Sequence, residues 1–307
     1  MTRSFTLLVN PVSGAGAGPG AVVPVARLLR EAGARVDVSY TTGPHEVPGL
    51  VDAAVDRGDV VVSVGGDGML SSVAGPVADR GGVLGLVPAG RGNDFARVLG
   101  LPADRTDPAT AAALARTLLD GDPRRVDLLE VTAGGTRRVV VGSLYAGVDA
   151  RAGEVVDRSR WLPRRLQYPY AAVRSLLAYR PGRYVVAVDG VEHRWTAATV
   201  VVANSSCYGS GMRIAPDARI DDGRLDVIVI EAASKVALLR ALPTVYDGAH
   251  VDRPEVTTLT GTAVEVRGSA AAPIPVGADG EPLGPLPGLT AEPWGVEVLP
   301  AVLAVLA

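Results

Sequence analysis

The sequence of 307 residues has little cysteine, lysine or histidine, and each shortage excludes a class of protein. Cys207 is the only cysteine, so the chain can form neither an intramolecular disulfide nor a cysteine-based zinc site. Lys235 is the only lysine and has no glycine-rich loop around it, which excludes a Walker A loop and a protein kinase with its strand lysine. The histidines, His45, His193 and His250, are too scattered for a metal-binding motif.

The charge and hydropathy pattern is typical of a soluble protein. The net charge is −3, so a nucleic-acid partner is not expected. No apolar run reaches the roughly 18 residues that a transmembrane helix needs, and the first apolar stretch is too short for a signal peptide. We therefore expect a cytoplasmic protein. Its length predicts two domains.

Strand and helix signals alternate through the first 120 residues. The predicted strands are Phe5–Asn10, Arg35–Tyr40, Val60–Val64 and Val83–Val87. The predicted helices are Ala21–Ala32, Glu46–Asp56, Met69–Ala78 and Ala109–Asp120. Unbroken apolar strands that alternate with helices indicate a Rossmann-like parallel sheet covered on both faces, a fold that suits nucleotide binding.

The pattern changes after Asp122-Pro123 to short runs rich in β-branched residues, which favours an antiparallel sandwich or barrel. The predicted strands are Val126–Val131, Arg138–Leu144, Arg183–Asp189, Ala198–Ala203, Leu225–Ile230, Thr262–Arg267 and Val296–Leu299. The predicted helices are Ala152–Arg158, Leu166–Tyr179 and Ser234–Tyr246. We place the nucleotide-binding α/β domain at residues 1–123 and the β-domain at 124–299, with 300–307 returning to the first domain.

A loop of Gly65, Gly66, Asp67 and Gly68 follows the third strand. Glycines there allow the backbone to approach a ligand, and free amides at a helix start favour a phosphate. A carboxylate beside a phosphate is expected where Mg²⁺ bridges the two. The alternative is a tight turn in which Asp67 caps the helix.

Two further loops repeat this pattern, because Gly90–Asp94 follows the fourth strand and Asn10–Gly14 follows the first. The carboxyl ends of parallel strands share one edge of a sheet, so the three loops should converge. A competing interpretation comes from Gly16–Ala21, which matches the G-x-G-x-x-A dinucleotide pattern. That pattern also requires an acidic residue at the end of the second strand, where Tyr40 stands instead.

The motifs NPVSG, GGDGML, PAGRGNDFARVLGL, RIDDGRLD and DGE occur in this order along the chain. Together they resemble the lipid-kinase family of diacylglycerol and sphingosine kinases, and most closely its soluble bacterial diacylglycerol-kinase-like enzymes. The resemblance covers nearly the whole chain. It implies a nucleotide-binding α/β domain followed by a β-sandwich, with ATP and Mg²⁺ as cofactors and a lipid hydroxyl as the phosphoryl acceptor.

The resemblance also implies roles for individual residues. The implied ATP site consists of Asn10, Pro11, Ser13, Gly65, Gly66, Gly68, Gly90, Arg91, Gly92 and Asn93. The implied carboxylates of the catalytic Mg²⁺ site are Asp67, Asp94 and Asp127. A second, structural Mg²⁺ would be held by the Asp222 side chain and by the carbonyls of Arg219 and Arg224. Glu281 would be the general base on the lipid hydroxyl, with Asp279 beside it and Asp67 also in contact with the acceptor.

Four positions depart from the family pattern. Met69 and Arg91 each replace a usual threonine, and Ser71-Ser72 replaces a usual Asn-Glu pair. Arg91 can substitute a charged phosphate clamp for a hydroxyl, whereas Met69 cannot donate a hydrogen bond. Two alternatives stay open beside the lipid kinase. An NAD kinase-like enzyme would share a GGDG-type loop and a related fold, whereas Met69 and Arg91 motivate a degenerate kinase that binds lipid or nucleotide as a regulator.

The segment 151–183 predicts peripheral contact with a membrane. It contains eight arginines interleaved with Trp161, Tyr168, Tyr170 and Tyr179, a composition typical of the lipid headgroup region. The alternative is a solvated helix whose apolar side faces the core. The sequence identifies neither the lipid substrate nor the oligomeric state, and a homodimer stays open.

Overall fold

The computed structural model describes residues 3–11, 17–104, 107–159 and 161–307 of the chain. It divides into two units, Met1–Leu128 together with Pro300–Ala307, and Leu129–Leu299. The chain leaves the N-terminal unit between Leu128 and Leu129 and returns to it between Leu299 and Pro300. The N-terminal unit therefore contains residues from both ends of the sequence.

The N-terminal unit alternates strands and helices, as the sequence predicts. Its strands are β1 (Phe5–Val9), β2 (Val36–Tyr40), β3 (Val60–Gly65), β4 (Val83–Pro88), the start of β5 (Pro123–Ala133) and the end of β15 (Trp294–Leu306). Its helices are α1 (Ala17–Glu31), α2 (Val47–Asp56), α3 (Asp67–Asp79), α4 (Asp94–Val98) and α5 (Pro108–Asp120).

The strands of this unit form a parallel sheet in the order β15-β4-β3-β1-β2. Every residue of β1 and β3 is buried, because helices cover such a sheet on both faces. The Rossmann-like parallel arrangement expected from the sequence is confirmed. The order brings the ends of β1, β3 and β4 to one edge, which is the edge where the glycine-rich loops follow.

The C-terminal unit is largely antiparallel. Its further strands are β6 (Thr136–Val140), β7 (Ser143–Gly147), β8 (Gly182–Val188), β9 (Val191–Ala203), β10 (Leu225–Glu231), β11 (Val256–Gly261), β12 (Ala263–Ser269), β13 (Pro275–Ala278) and β14 (Glu281–Pro285). Its helices are α6 (Val148–Arg158), α7 (Arg164–Leu177), α8 (Lys235–Ala241) and α9 (Thr244–Asp247).

Strand β9 links the two layers of this unit. Its first half pairs with β8, and its second half pairs with β7 on one side and β10 on the other. Alternate side chains of these strands point inward and form one apolar core that includes Leu144, Val186, Val200 and Val266. The antiparallel β-sandwich class is confirmed.

Several boundaries differ from the sequence predictions. The predicted strand Arg138–Leu144 is two strands, because the chain turns at Val141-Gly142. The predicted helix Ser234–Tyr246 breaks at Pro243, which cannot continue the hydrogen-bond ladder of α8. Strands β11, β13 and β14 were not predicted, since polar, glycine and proline residues interrupt their apolar patterns.

Candidate active site

The loops after β3 and β4 pack directly against each other. The amides of Ala89 and Gly90 donate to the carbonyl of Gly65 over 2.7 and 3.2 Å. A Cβ added at Gly90 would lie 2.3 Å from the Cα of Gly66, and one at Gly66 would lie 2.9 Å from the Cα of Gly90. Only glycine fits at either position. The sequence explained these glycines by ligand approach alone, and the structure adds that they allow the two loops to touch.

Two carboxylates meet beside these loops. Asp67 is the first residue of α3 and Asp94 the first of α4. A Cβ built on Gly92 would lie 3.0 Å from an Asp94 carboxylate oxygen and 3.1 Å from one of Asp67, so these oxygens are at most 6.1 Å apart. The amide of Phe95 donates to the Asp67 carboxylate over 3.2 Å. The structure therefore brings together two of the three carboxylates predicted around Mg²⁺.

Asn93 shapes the loop after β4. It adopts the left-handed conformation with a φ of 52°, and its side-chain oxygen accepts from the amide of Gly90 over 2.8 Å. Its side-chain nitrogen donates to the Gly90 carbonyl over 3.3 Å. The side chain predicted at the ATP site thus closes the loop that holds the neighbouring groups.

Two arginines at this loop differ in their side-chain contacts. Arg97 donates to the Asp94 carboxylate over 2.6 Å and so neutralises part of its charge. Arg91 is half-buried, and its side chain forms neither a hydrogen bond nor an ion pair with any residue that the structure describes. A guanidinium in this state is available to an anionic ligand.

The other predicted ATP-site residues lie on the same edge or outside the described chain. Asn10 is half-buried directly after β1, and Pro11 is exposed beside it. Gly68 lies in the first turn of α3. Ser13 lies outside the described residues. Met69 is buried in α3, where the Ser72 hydroxyl donates to its carbonyl over 2.7 Å, so it packs in the protein interior.

Asp127 lies in β5 and is 1% exposed. Its carboxylate accepts from the amide of Ala301 over 2.6 Å, at a point where Ala301 has a φ of 52°. This bond holds the bend through which β15 returns to the N-terminal unit. The predicted part of Asp127 in the Mg²⁺ network stays a prediction.

Asp279 and Gly280 form the turn between β13 and β14, with φ angles of 46° and 88°. The Asp279 carboxylate accepts from the amides of Val141, Gly142 and Ser143 over 2.7 to 3.1 Å. Three amide donors occupy the carboxylate, so Asp279 positions the turn against the start of β7.

A second Asp-Gly turn in the same unit has the same construction. Asp189 and Gly190 join β8 to β9, and the Asp189 carboxylate accepts from the amides of Thr262 and Ala263. Those two amides, followed by the Thr262 hydroxyl, lower the pKa of Asp189. The similarity of the two turns favours a positioning role for Asp279. Glu281, two residues later, is exposed at the start of β14.

A buried polar network beneath this turn was missed by the sequence analysis. The Tyr145 hydroxyl accepts from the amide of Gly280 over 3.0 Å, and its ring packs on Tyr208 at a centroid distance of 5.6 Å. Asp149 accepts from the Thr199 hydroxyl over 2.7 Å. Burial raises the pKa of Asp149, although hydrogen bonds from Thr199 and Tyr208 oppose the rise. The signal in the sequence was an aspartate directly after the apolar run of β7.

The predicted structural Mg²⁺ site lies on an exposed turn of acidic residues. The Asp222 carboxylate accepts from the amide of Arg224 over 3.0 Å, and both Arg219 and Arg224 are exposed. Burial, and then the charges of Asp222 and Asp217, raise the pKa of Asp226 to about 6. Carboxylate and carbonyl oxygens are the ligands that Mg²⁺ prefers, so the donor set fits. Within the described residues, no three His, Cys, Asp or Glu side chains are grouped as metal ligands.

Both parts of the chain match known protein families. Residues 4–131 match the diacylglycerol kinase catalytic domain family, and residues 142–307 match the YegS C-terminal NAD kinase beta sandwich-like domain family. A diacylglycerol kinase of Mycobacterium tuberculosis is 35% identical over 300 residues, which cover 96% of this chain and 94% of the relative. The diacylglycerol kinase of Bacillus subtilis is 25% identical over 92% of this chain and 91% of its own.

Solved structures show the same fold. The crystal structure of a diacylglycerol kinase from Bacillus anthracis aligns with a TM-score of 0.67 and 17% identity, covering 99% of this chain and 97% of that one. None of the described helices combines the length and hydrophobicity needed to cross a bilayer. The identity to the mycobacterial relative, over nearly the whole of both chains, establishes the family. The chain belongs to the diacylglycerol kinase family of lipid kinases, with a YegS-type C-terminal domain.

Proposed function

We propose that this lipid kinase transfers the γ-phosphate of ATP, with Mg²⁺, to the hydroxyl of a lipid such as diacylglycerol. The observation that carries the proposal is the meeting of Asp67 and Asp94 beside two glycine loops at one edge of the parallel sheet. Phosphoryl transfer depends on positioning and charge neutralisation, which such an edge supplies. The diacylglycerol kinase name of the mycobacterial relative supports the choice of lipid.

The residues have separate tasks in this proposal. Asp67 and Asp94 would hold Mg²⁺, which when bound neutralises charge on the phosphate oxygens. The guanidinium of Arg91 would bind a phosphate oxygen directly, in place of the usual threonine hydroxyl. Glu281 would take the proton of the lipid hydroxyl as that oxygen attacks the γ-phosphorus, the bond to the bridging oxygen breaks and ADP leaves. A carboxylate suits that role when it lies within hydrogen-bond reach of the hydroxyl.

The test is a labelled-phosphate assay against diacylglycerol, a sphingoid base, a polyprenol and NAD. We expect a lipid product with the wild type and a Glu281→Gln variant whose kcat falls about 10²-fold or more with little change in ATP binding. Glu292→Gln, on an exposed turn, is the matched control. Phosphorylation of NAD alone would favour the NAD kinase-like alternative, and ATP binding without turnover would favour the degenerate kinase.

We also propose that helix α7 rests on a membrane surface. Leu166, Tyr170, Val173 and Leu177 recur at spacings of four, three and four residues, so they share one face of α7. All four are exposed, by 37% to 56%. Trp161, which is 75% exposed, packs its ring on Tyr170. An exposed apolar face with Trp and Tyr is typical of a helix that lies in the headgroup region.

Vesicle flotation tests this surface. We expect salt-sensitive binding to anionic vesicles that is lost when Arg160, Trp161, Arg164 and Arg165 are replaced together, although Arg160 lies outside the described residues. Replacing Leu177 with serine should weaken binding, whereas Val191→Ser, at an exposed hairpin, should not. Equal binding to neutral and anionic vesicles would contradict the proposal.

A further inference from the structure

The C-terminal unit contains a small pocket at the start of α6 and the end of α7. Its walls come from the start of α6, from the end of α7 and the residues up to Gly182, from Tyr184 and Ala198, and from the segment 270–275. The volume open to the centres of oxygen-sized atoms is about 40 Å³. A buried water needs roughly 10–15 Å³ by that measure, so the pocket holds a group of about three or four such atoms.

Two hydroxyls at this pocket lack a hydrogen-bond partner in the described part of the chain. Ser175 is 1% exposed and Tyr179 is 7% exposed, and both line the pocket. They lie four residues apart, so they lie on the same side of the chain at the end of α7. A buried hydroxyl without a partner is costly, which points to a group inside the pocket that completes the bonding. Burial raises the pKa of the Tyr179 phenol, so it stays a proton donor.

The charged side chains among the described residues that line the pocket are both basic. Arg151 and Arg180 line it, and neither forms an ion pair or a side-chain hydrogen bond within the described chain. Asp149, in the first turn of α6, is not a lining residue, and its carboxylate accepts from the Thr199 hydroxyl over 2.7 Å. Gly147 and Val148 are the cap and first residue of α6, an eleven-residue helix whose N-terminus has no side-chain cap. The free amides of such a helix start favour an anion.

We propose that this pocket binds a phosphate group, through the Ser175 and Tyr179 hydroxyls, the Arg151 and Arg180 guanidinium groups and the amides at the start of α6. A phosphate has four oxygens that only accept hydrogen bonds, and every polar group named here donates. Its size matches the volume of the pocket. The group belongs either to free phosphate or to a phospholipid headgroup. The site does not depend on the proposed phosphoryl transfer.

The test titrates inorganic phosphate into the full-length protein by calorimetry. We expect Tyr179→Phe, which keeps the ring in place, to weaken phosphate binding several-fold, and Arg151→Gln with Arg180→Gln to weaken it at least about tenfold. Tyr40→Phe and Arg138→Gln, at exposed positions on β2 and β6, are the matched controls. Phosphate bound at the loops of Gly66 and Gly90 would not respond to the pocket variants.

Vesicles distinguish the two sources of the phosphate group. If a lipid headgroup is bound, the arginine variants also lose binding to phosphatidic acid in phosphatidylcholine vesicles, and free phosphate competes with the wild type. If free phosphate is bound, the calorimetric loss appears while vesicle binding stays unchanged. Unchanged phosphate titrations together with unchanged vesicle binding in all pocket variants would show a water-filled pocket and overturn the proposal.

Discussion

The carboxylates at the two edges of the parallel sheet, where its strands begin and where they end, have different environments. At the edge where β3 begins, the Asp59 side chain is fully buried and accepts hydrogen bonds from Thr6, Arg35 and Arg57. At the edge where β3 ends, Asp67 and Asp94 lie beside two glycine loops that pack against each other. At one edge the carboxylate is fully buried and bonded to neighbouring side chains, and at the other edge two carboxylates lie close together.

We expect the edge that contains Asp59 to contribute to stability and the edge that contains Asp67 and Asp94 to contribute to function. Burial alone would raise the pKa of Asp59, but hydrogen bonds from Ser4, Arg35 and Thr6 outweigh burial and hold that pKa below its usual value of 3.8. The folded state therefore favours ionised Asp59, which stabilises the protein. At the opposite edge two carboxylates lie close together, and Arg97 forms an ion pair with one of them, Asp94. A change at one edge should lower stability, and a change at the other should lower activity.

The largest expected effect is that of Asp67→Asn on catalysis. A neutral amide is a much poorer Mg²⁺ ligand than a carboxylate, so phosphoryl transfer should fall by about 10³-fold or more. The free energy of unfolding should change by less than about 1 kcal/mol, because the amide can still accept from Phe95. Steady-state kinetics measure the loss of turnover, and thermal unfolding measures the change in stability. Normal turnover in the folded variant would remove Asp67 from the active site.

Gly90→Ala should lower both the stability and the activity of the protein. The new Cβ would lie 2.3 Å from the Cα of Gly66, so one loop must move and the protein should lose about 3 kcal/mol of stability together with most of its activity. Gly49→Ala is the control, since Gly49 lies in α2 with open space around it. That change should stabilise the helix by about 0.5–1 kcal/mol. Equal effects of the two variants on activity would contradict the close packing of the loops.

Asp59→Asn should lower stability by about 2–3 kcal/mol at pH 7 without changing catalysis. Because the pKa of Asp59 is lower in the folded state, the ionised carboxylate stabilises the protein above pH 3.8, and this gain is lost as the pH falls further. The difference between the two proteins should therefore shrink below that pH. Denaturant unfolding from pH 3 to 8 measures it.

The control for Asp59→Asn is Asp52→Asn, which breaks an exposed ion pair with Arg80. Exposed pairs contribute little, so the change should stay below about 0.5 kcal/mol at every pH. A pH-independent loss in Asp59→Asn would mean that its hydrogen bonds matter and its charge does not.

The smallest effect is expected from Met69→Thr. The sequence alone predicts that a threonine hydroxyl here raises activity or tightens ATP binding. Because Met69 is buried in α3, we expect the change to cost about 1–3 kcal/mol of stability as well. Calorimetric titration with ATP measures the effect on ATP binding, and thermal unfolding measures the effect on stability. A neutral effect on ATP binding would indicate that Arg91 already serves the phosphate.

The sequence predicted the elements whose signals are local. Continuous apolar runs located β1 and β3, and the glycine motifs located the loops that follow the strands. The sequence could not predict the partners of buried carboxylates, because those partners are distant backbone amides. Asp127 binds Ala301, 174 residues away, and Asp279 binds Val141, 138 residues away. Strand β13, with the sequence PVGA, exists through its pairing with β7 and β14, which no local pattern encodes.

The return of β15 to the N-terminal sheet has a consequence for synthesis on the ribosome. Ala304 and Val305 pair with Val83 and Leu84 of β4, and Asp127 holds the bend at Ala301. Until residue 305 has emerged, the nascent N-terminal unit exposes β4 as an unpaired edge strand, which is a template for aggregation. The unit that carries the glycine loops therefore completes its sheet last, although most of it is translated first.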